Sequence, residues 1–369
     1  MMRSARIVTG LILFAFATLH LINVAFGLHS IDAMEASFPI LMAPFLNPVG
    51  GPLLLVSMIV HAALGLESLY RRNTLAMSRA DAMQFVTGLL ILPFLFSHLV
   101  GVMMGPRVFE GYEPEFSNVL HFFWLQNPLD GVRQNLLMVI VWVHGAIGVL
   151  TWMRLKPWWA RWGTLANVIT VLIPVAAMLG YVESGKEIIA RSPPYVQPDL
   201  PPEILEKMAL LSNTKWWLIG VWFAIVALVL IARMVRLSSK SELVTIKTTA
   251  GRSFDAQTGT TLLEMAIANG LPHANLCRGR GRCGTCRIKV ISSDAPLPEI
   301  GEIERKTLDR VGAGENVRLG CQFRPGSGEL LIEPLLKPGM EREELVKAAA
   351  SGAARQHEAG TAAANAGAA

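Results

Sequence analysis

Charged residues are scarce in this 369-residue sequence, and the scarcity is uneven. Asp, Glu, Lys and Arg together make up 17% of the chain, whereas a soluble domain contains about a quarter. Residues 1–236 hold nearly all of the long apolar runs. The composition excludes a single soluble domain and predicts a membrane region, 1–238, followed by a soluble module, 239–338. The Ala- and Gly-rich remainder, 339–369, has no core-forming pattern, and we expect it to be disordered.

Patterns typical of nucleic-acid-binding proteins are also missing. The formal net charge of +5 is not accompanied by a helix-turn-helix, zinc-finger or RRM motif. We therefore interpret the basic excess partly as a signal of membrane topology, and we expect no nucleic-acid partner.

Six apolar runs are long enough for the roughly 20 residues that a transmembrane helix needs. The predicted spans are Ile7–Leu28, Pro52–Tyr70, Phe85–Met104, Leu136–Met153, Leu165–Val182 and Trp216–Met234. The first run is too long for a signal peptide, and no small-residue cleavage site follows it. The pattern predicts an all-α bundle of six transmembrane helices surrounded by membrane lipid.

Basic residues are concentrated before the first span and after the second, fourth and sixth. They are Arg3, Arg6, Arg71, Arg72, Arg79, Arg154, Lys156, Arg161, Arg233, Arg236 and Lys240. The other loops are long and either mixed or acidic. By the positive-inside rule, both termini and the soluble module face the cytoplasm. We therefore expect a multi-pass protein of the bacterial inner (cytoplasmic) membrane.

Cysteine occurs only four times, and all four residues fall into one pattern. Cys277, Cys283 and Cys286 follow a C-x5-C-x2-C spacing, and Cys321 comes after 34 more residues. Three thiolates from one tight loop and a fourth from a distant segment suit a [2Fe–2S] cluster. Only one short C-x2-C spacing is present, which argues against structural zinc. The predicted cytoplasmic location argues against disulfides, so we predict four cluster ligands.

Around these cysteines the sequence resembles a ferredoxin of the β-grasp type. VTIKTTAGRSFDAQ alternates like a hairpin, and TLLEMAIANG is typical of a short helix ending at Gly270. RIKVIS and ELLIEPL are typical of strands, and EIERKTL of a helical stretch. The resemblance covers about residues 242–337 and implies an α+β fold. The predicted fold class is therefore a membrane all-α helical bundle plus a C-terminal α+β β-grasp ferredoxin-type domain.

Four arginines surround the cysteine loop, where many soluble ferredoxins are acidic. They are Arg278, Arg280, Arg282 and Arg287. Two interpretations stay open from the sequence. The arginines form a solvated face, or they raise the potential of the cluster or dock an acidic or membrane-surface partner.

Histidine is absent from the last two spans but occurs once in each of the first four. These residues are His20, His61, His98 and His144. An ionisable side chain inside a membrane is a functional candidate by default, and four in consecutive helices are hard to assign to packing. Four imidazoles suffice for two b-type haems with two axial ligands each. The absence of C-x-x-C-H excludes covalent c-type attachment.

Depth in the membrane predicts how the histidines pair. His20 and His98 lie about 9–12 Å from the outer ends of their spans, at 1.5 Å per residue. His61 and His144 each lie ten residues before an arginine, or about 15 Å from the inner arginine rows. We therefore expect His20 to pair with His98, and His61 with His144.

The histidine pattern resembles the di-haem cytochrome b membrane anchor of succinate dehydrogenases and fumarate reductases. RIVTGLILFAFATLHLIN, HAALGLESLYRR, QFVTGLLILPFLFSHLVGV and WVHGAIGVLTWMR carry the resemblance over about residues 5–155. It implies two b haems and contact with quinone. A six-span anchor joined to a ferredoxin also resembles the N-terminal half of certain bacterial membrane adenylate cyclases. We expect no cyclase domain here, and we assign no quinone site.

Three functions are compatible with these features. The first is a membrane electron-transfer protein that connects the quinone pool, two b haems and a cytoplasmic [2Fe–2S] cluster. The second is a redox sensor that reports quinone or oxidant state to a cytoplasmic partner. The third is a haem-free ferredoxin tether whose histidines only pack helices. We expect a redox or signalling partner in the cytoplasm for either of the first two.

Overall fold

The structure is a computed structural model that describes residues 2–338, except 73, 74, 76, 155, 157, 197, 198 and 239–241. The predicted tail and Lys240 therefore lie outside the described residues. Contacts divide the chain into two compact units. One contains the described residues up to Arg71 and from Ser78 to Arg233, and the other contains Arg72–Met77 and the described residues from Met234 onward.

Six helices are long and apolar enough to cross a membrane, and all but the last four residues of the sixth belong to the first unit. They are α1 (Met2–Ala25), α3 (Gly50–Arg71), α4 (Arg79–Leu99), α7 (Pro128–Met153), α8 (Trp159–Arg191) and α9 (Pro202–Leu237). A 3₁₀ turn, Phe26–Leu28, extends α1. A π-helical turn, Val100–Met104, continues α4 into the short helix α5, Gly105–Val108. The number of spans agrees with the sequence prediction.

The fifth and sixth helices are longer than predicted. α8 continues to Arg191, and α9 begins at Pro202 and contains 36 residues. At 1.5 Å per residue, α9 is about 54 Å long and exceeds a hydrocarbon core of about 30 Å. The predicted sixth span, Trp216–Met234, covered only the apolar part of this helix. The helix extends further because Pro202 suits a first turn and the acidic Glu203 stabilises it.

Two short helices were not predicted. α2 spans Ile31–Leu41, and α6 spans Phe116–His121 and continues into a π-helical turn. Ser30 caps α2, since its hydroxyl accepts a hydrogen bond from the Ala33 amide at 3.0 Å. Side chains of both helices are buried in the bundle core with residues of α1, α7 and α8. Both helices are too short to give a transmembrane signal.

The second unit contains a five-stranded mixed sheet and two helices. Its elements are β1 (Leu243–Thr248), β2 (Ser253–Gln257), α10 (Leu262–Ala268), β3 (Arg287–Ser293), α11 (Glu302–Arg310), β4 (Val317–Leu319) and β5 (Gly328–Pro334). The strand order is β2-β1-β5-β3-β4, with β1 and β5 parallel and the other neighbours antiparallel. This small α+β domain is consistent with the predicted ferredoxin-type fold. The sequence did not indicate β4, which has only three residues.

Helix α10 positions the start of the cysteine loop. Thr261 and Glu264 form a capping box, in which the Thr261 amide donates to Glu264 Oε2 at 2.9 Å and the Glu264 amide donates to Thr261 Oγ1 at 3.2 Å. Leu262 and Met265 on this helix are buried against Ile246 and Ile332 of the sheet. The loop therefore leaves a fixed helix and returns into β3, which lies between β5 and β4 in the sheet.

Candidate metal centres

The cysteine loop has an unusual backbone between α10 and β3. Arg278 has a φ of 54°, and Gly279, Gly281 and Gly284 have φ values of 76°, 60° and 73°. Glycine adopts this left-handed region at no steric cost. A Cβ at Gly284 would also lie 2.9 Å from Val311 Cγ1. The glycines therefore allow the loop to fold tightly enough to turn its amides toward the sulfurs.

The structure arranges the four predicted cysteines as two sulfur pairs. Cys277 shares a hydrogen bond with Cys283, and Cys286 shares one with Cys321. Three of the four are buried, and Cys283 is partly exposed. None of the four is paired in a disulfide.

Backbone amides of the loop point at two of the sulfurs. The Cys277 amide donates to Cys283 Sγ at 3.3 Å, and the Arg282 amide donates to Cys277 Sγ at 3.4 Å. The Thr285 hydroxyl lies 3.0 Å from Cys283 Sγ. Such donors stabilise a thiolate more than a neutral thiol. The loop is therefore arranged for deprotonated sulfur, the form that binds metal.

The pKa values within each pair are split. The hydrogen bond from the Cys283 thiol lowers the pKa of Cys277 to about 6, and the hydrogen bond from Cys286 lowers the pKa of Cys321. Donation of the shared proton, together with burial, raises the pKa of Cys283 and of Cys286. Each pair therefore holds one easily lost proton and one that metal binding must displace.

The donor arrangement fits a binuclear cluster better than a single ion. Among the described residues, no group of three or more His, Cys, Asp or Glu side chains is arranged to hold one metal ion. A tetrahedral zinc site would need four donors around one point, whereas two sulfur pairs suit the two irons of a [2Fe–2S] cluster. His273 lies beside the loop, but its Nε2 is 3.3 Å from the Cys286 carbonyl oxygen, so it contacts backbone.

The four histidines of the helical unit also form two pairs. The ring centroids of His20 and His98 are 6.2 Å apart, with ring planes inclined at 59°. Those of His61 and His144 are 6.1 Å apart, with planes inclined at 87°. These are the pairs that matching depth predicted. Two imidazoles on opposite sides of one metal, each with a metal–nitrogen distance near 2.0 Å, have centroids about 6.3 Å apart.

Polar neighbours fix the second pair. His61 Nδ1 lies 3.2 Å from Thr9 Oγ1, and His144 Nδ1 lies 2.8 Å from the Gln84 carbonyl oxygen. A hydrogen bond to one ring nitrogen sets the tautomer and leaves the other nitrogen as a ligand.

Two glycines bring neighbouring helices close to these imidazoles. A Cβ at Gly10 of α1 would lie 2.9 Å from His61 Cε1, and a Cβ at Gly88 of α4 would lie 2.8 Å from His144 Cε1. Sequence reasoning missed both glycines. Glycine inside an apolar span, where alanine is the better helix former, was the available signal.

The first pair has aromatic and basic neighbours. The ring of Phe16 stacks on His20 with centroids 5.7 Å apart, and His20 Nδ1 is buried with no hydrogen-bond partner among the described residues. The charge of Arg133 interacts with His98. Arg133 Nη1 pairs with Asp130 at 2.7 Å, while its buried Nε has no hydrogen-bond partner in the part of the chain that the structure describes.

Two polar residues near the histidine helices take part in contacts between helices. Asn23 is fully buried, and its Nδ2 donates to the Met34 carbonyl at 2.9 Å and to Ser37 Oγ at 2.7 Å. Glu67 forms ion pairs with Arg6 and Arg71. These contacts provide a structural role for both side chains, and we assign neither to a quinone site.

The second unit is similar to known 2Fe-2S proteins. The family model described as "2Fe-2S iron-sulfur cluster binding domain" matches residues 244–326. A 2Fe-2S ferredoxin of Escherichia coli K12 is 33% identical over 84 residues, which is 22% of this chain and 76% of that protein. A 2Fe-2S ferredoxin of Haemophilus influenzae is 34% identical over 84 residues, 22% of this chain and 74% of that protein.

A further relative is a larger protein, of which only one segment matches this chain. The reductase subunit of an aromatic O-demethylase from Amycolatopsis is 35% identical over 75 residues, which is 20% of this chain and 21% of that protein. These similarities, together with the fold, support a bound 2Fe-2S cluster and a role in electron transfer. Through its C-terminal domain, the chain belongs to the 2Fe-2S ferredoxin family.

Proposed function

We propose that this chain is a membrane-bound electron-transfer protein of the bacterial cytoplasmic membrane. It would pass electrons between the quinone pool, two b-type haems and a [2Fe–2S] cluster on the cytoplasmic side. The observation that carries the proposal is the spacing of the histidine pairs, with ring centroids 6.2 and 6.1 Å apart, in a chain that also contains a ferredoxin domain.

The cluster ligands in this proposal are Cys277, Cys283, Cys286 and Cys321. The two buried sulfur pairs and the amide donors of the loop support this assignment. When bound, the cluster supplies a one-electron redox couple. The loop residues hold the sulfurs in place, exclude water and stabilise their negative charge.

The axial haem ligands would be His20 with His98 and His61 with His144. The gap between each pair of rings matches the spacing calculated above for two imidazoles on one metal. Thr9 and Gln84 would orient the second pair. Haem also carries two carboxylates, and the buried Nε of Arg133 beside His98 is suited to hold one of them by a charge-assisted hydrogen bond.

The orientation and partners are proposed from the sequence pattern. The basic loops favour a cytoplasmic N-terminus and ferredoxin domain, with lipid around the six apolar helices. Quinone is proposed from the resemblance to cytochrome b anchors. A soluble redox partner is also proposed. One relative is a reductase subunit in which the matched ferredoxin-like segment is only 21% of the protein, and we propose that a separate protein supplies the corresponding reductase parts here.

The test is reduction of the purified full-length protein by a quinol, with haem and cluster followed separately. Haem is followed by its sharp reduced α bands, and the cluster by its EPR signal. We expect quinol addition to reduce the haems, which makes their α bands appear, and then to reduce the cluster, which makes its EPR signal appear. Absence of haem from the purified wild-type protein would overturn the membrane part of the proposal. Haem reduction that never reaches the cluster would favour the alternative function, a redox sensor that signals to a partner.

A further inference from the structure

The ferredoxin domain buries two arginines, and only one of them has an acidic partner. Arg318 is 4% exposed and contacts Glu304, which is 2% exposed. Its Nε and Nη2 donate to the two carboxylate oxygens of Glu304 at 2.9 Å each, and its Nη1 donates to the Pro298 carbonyl at 2.8 Å. The charge of Arg318 is therefore neutralised within the protein.

Arg287 is buried without such a partner. The residue is 8% exposed, and its Nε has no hydrogen-bond partner among the described residues. Its Nη1 makes one long contact, 3.5 Å, with the Val311 carbonyl oxygen. In the part of the chain that the structure describes, no carboxylate pairs with it. Burying a cation without a partner is destabilising, and a negative charge nearby would offset this cost.

The cysteine sulfurs supply negative charge that acts on Arg287. Arg287 directly follows Cys286 in the chain and begins β3. Burial lowers the pKa of Arg287, while the charges of Cys286 and Cys283 act in the opposite direction and raise it. Among the described residues, the charges that act on Arg287 are those of Cys286 and Cys283.

We propose that Arg287 is the buried counter-charge of the [2Fe–2S] cluster and holds its reduction potential up. The inference rests on the proposed cluster ligands. An oxidised cluster with two ferric ions, two sulfides and four thiolates has a net charge of minus two, and one added electron makes it minus three. A fixed positive charge stabilises the reduced form more than the oxidised form, because attraction grows with the charge of the cluster.

Burial distinguishes Arg287 from the other arginines of the loop. Arg278, Arg280 and Arg282 are only partly buried, so water and salt weaken their effect on the cluster. The interpretation of a solvated face, which the sequence left open for all four arginines, does not fit Arg287. Salt screens the influence of Arg287 on the cluster less, and we expect that influence to persist at high ionic strength.

The test is an EPR-monitored redox titration of the full-length protein carrying Arg287→Gln, at low and at high salt. We expect the midpoint potential to fall, with at least a tenfold loss in the relative stability of the reduced state, or about 59 mV for one electron. Arg287→Lys keeps the charge and should stay near the wild-type midpoint. Lys289→Gln is the matched control, since it removes an exposed positive charge from the same strand.

An unchanged midpoint in Arg287→Gln with a full-strength cluster signal would overturn the inference, as would equal shifts in the Lys and Gln variants. If Arg287→Gln assembles no cluster, assembly at the wild-type midpoint in Arg287→Lys would support the charge requirement. If neither variant assembles a cluster, the site needs the shape of the arginine side chain rather than its charge, and the inference is rejected. Absence of a cluster in the wild-type protein would instead reject the proposed function.

Discussion

Gly88 lies against the imidazole of His144, so closely that a Cβ at this position would be 2.8 Å from His144 Cε1. Real Cβ atoms do not approach a carbon this closely, so a side chain here must displace the ring. The same edge of the ring is held by the hydrogen bond of His144 Nδ1 with the Gln84 carbonyl at 2.8 Å. Helix α4 therefore determines where the second histidine of the His61–His144 pair lies.

Replacing Gly88 with alanine is predicted to remove one haem. Alanine is about 1 kcal/mol better than glycine inside a helix, so the helix itself should not weaken. The added methyl group displaces the His144 ring from its position opposite His61. Haem content of the purified protein, measured as the pyridine haemochrome, should fall to about half of the wild-type value if four imidazoles bind two haems.

Gly65→Ala is the matched control for this prediction. Gly65 also lies in an apolar span, but a Cβ there would have no heavy atom within 4 Å. The control should therefore retain the full haem content. Equal haem loss in both variants would show that the effect arises from the helix rather than from contact with His144.

Single histidine substitutions are predicted to fall into two classes. His20→Ala and His98→Ala should remove the same haem, because their rings face each other at 6.2 Å. His61→Ala and His144→Ala should remove the other. Redox titration of the α bands identifies which midpoint is missing in each variant. Loss of the same component in His20→Ala and His61→Ala would contradict the pairing.

Cys286→Ser is predicted to abolish the [2Fe–2S] EPR signal and to leave haem absorption intact. Cys286 is 1% exposed and shares a hydrogen bond with Cys321, so a serine oxygen would replace one of four sulfur donors in a dry site. The histidine pairs belong to the other compact unit, which explains why haem should remain. A full-strength cluster signal in this variant would show that Cys286 is not a ligand.

Glu304→Gln is predicted to destabilise the ferredoxin domain. The substitution removes the charge that neutralises the buried Arg318, and breaking one side of a buried ion pair costs about 3–5 kcal/mol. The Leu319 amide also donates to Glu304 Oε1 at 2.8 Å, two residues before Cys321. Thermal loss of the cluster's visible absorption should therefore begin at a lower temperature. Glu302→Gln, an exposed residue of the same helix, is the control and should change this temperature little.

The sequence was sufficient for features that repeat or that carry rare residue types. Four cysteines at cluster spacing, one histidine in each of four spans and six apolar runs each give a signal that needs no tertiary contact. The hairpin of β1 and β2 and the helix α10 also follow local patterns, an alternation of side chains and a capping box.

Other features depend on contacts between distant residues, which the sequence does not show. Glu304 and Arg318 are 14 residues apart in sequence, and nothing local distinguishes their pair from the exposed Glu302–Lys306 pair of α11. The sequence likewise did not separate Arg287 from its three neighbours, because only the folded loop buries it. Strand β4 has three residues, too few to show an alternation of apolar and polar side chains. It forms because it pairs with β3.

The basic loops predict that the C-terminus lies in the cytoplasm. A reporter that is active only in the cytoplasm, fused after residue 369, should be active, because the positively charged loops that flank the helices are expected to stay on that side. The same reporter inserted at Pro194, between α8 and α9, should be inactive, since an odd number of spans precedes it. The active C-terminal fusion is the control for the inactive one, because a failure of expression would remove the activity of both. Activity at Pro194 with silence at the C-terminus would invert the orientation. It would also place four free thiols in an oxidising compartment, where disulfides compete with metal for the sulfurs.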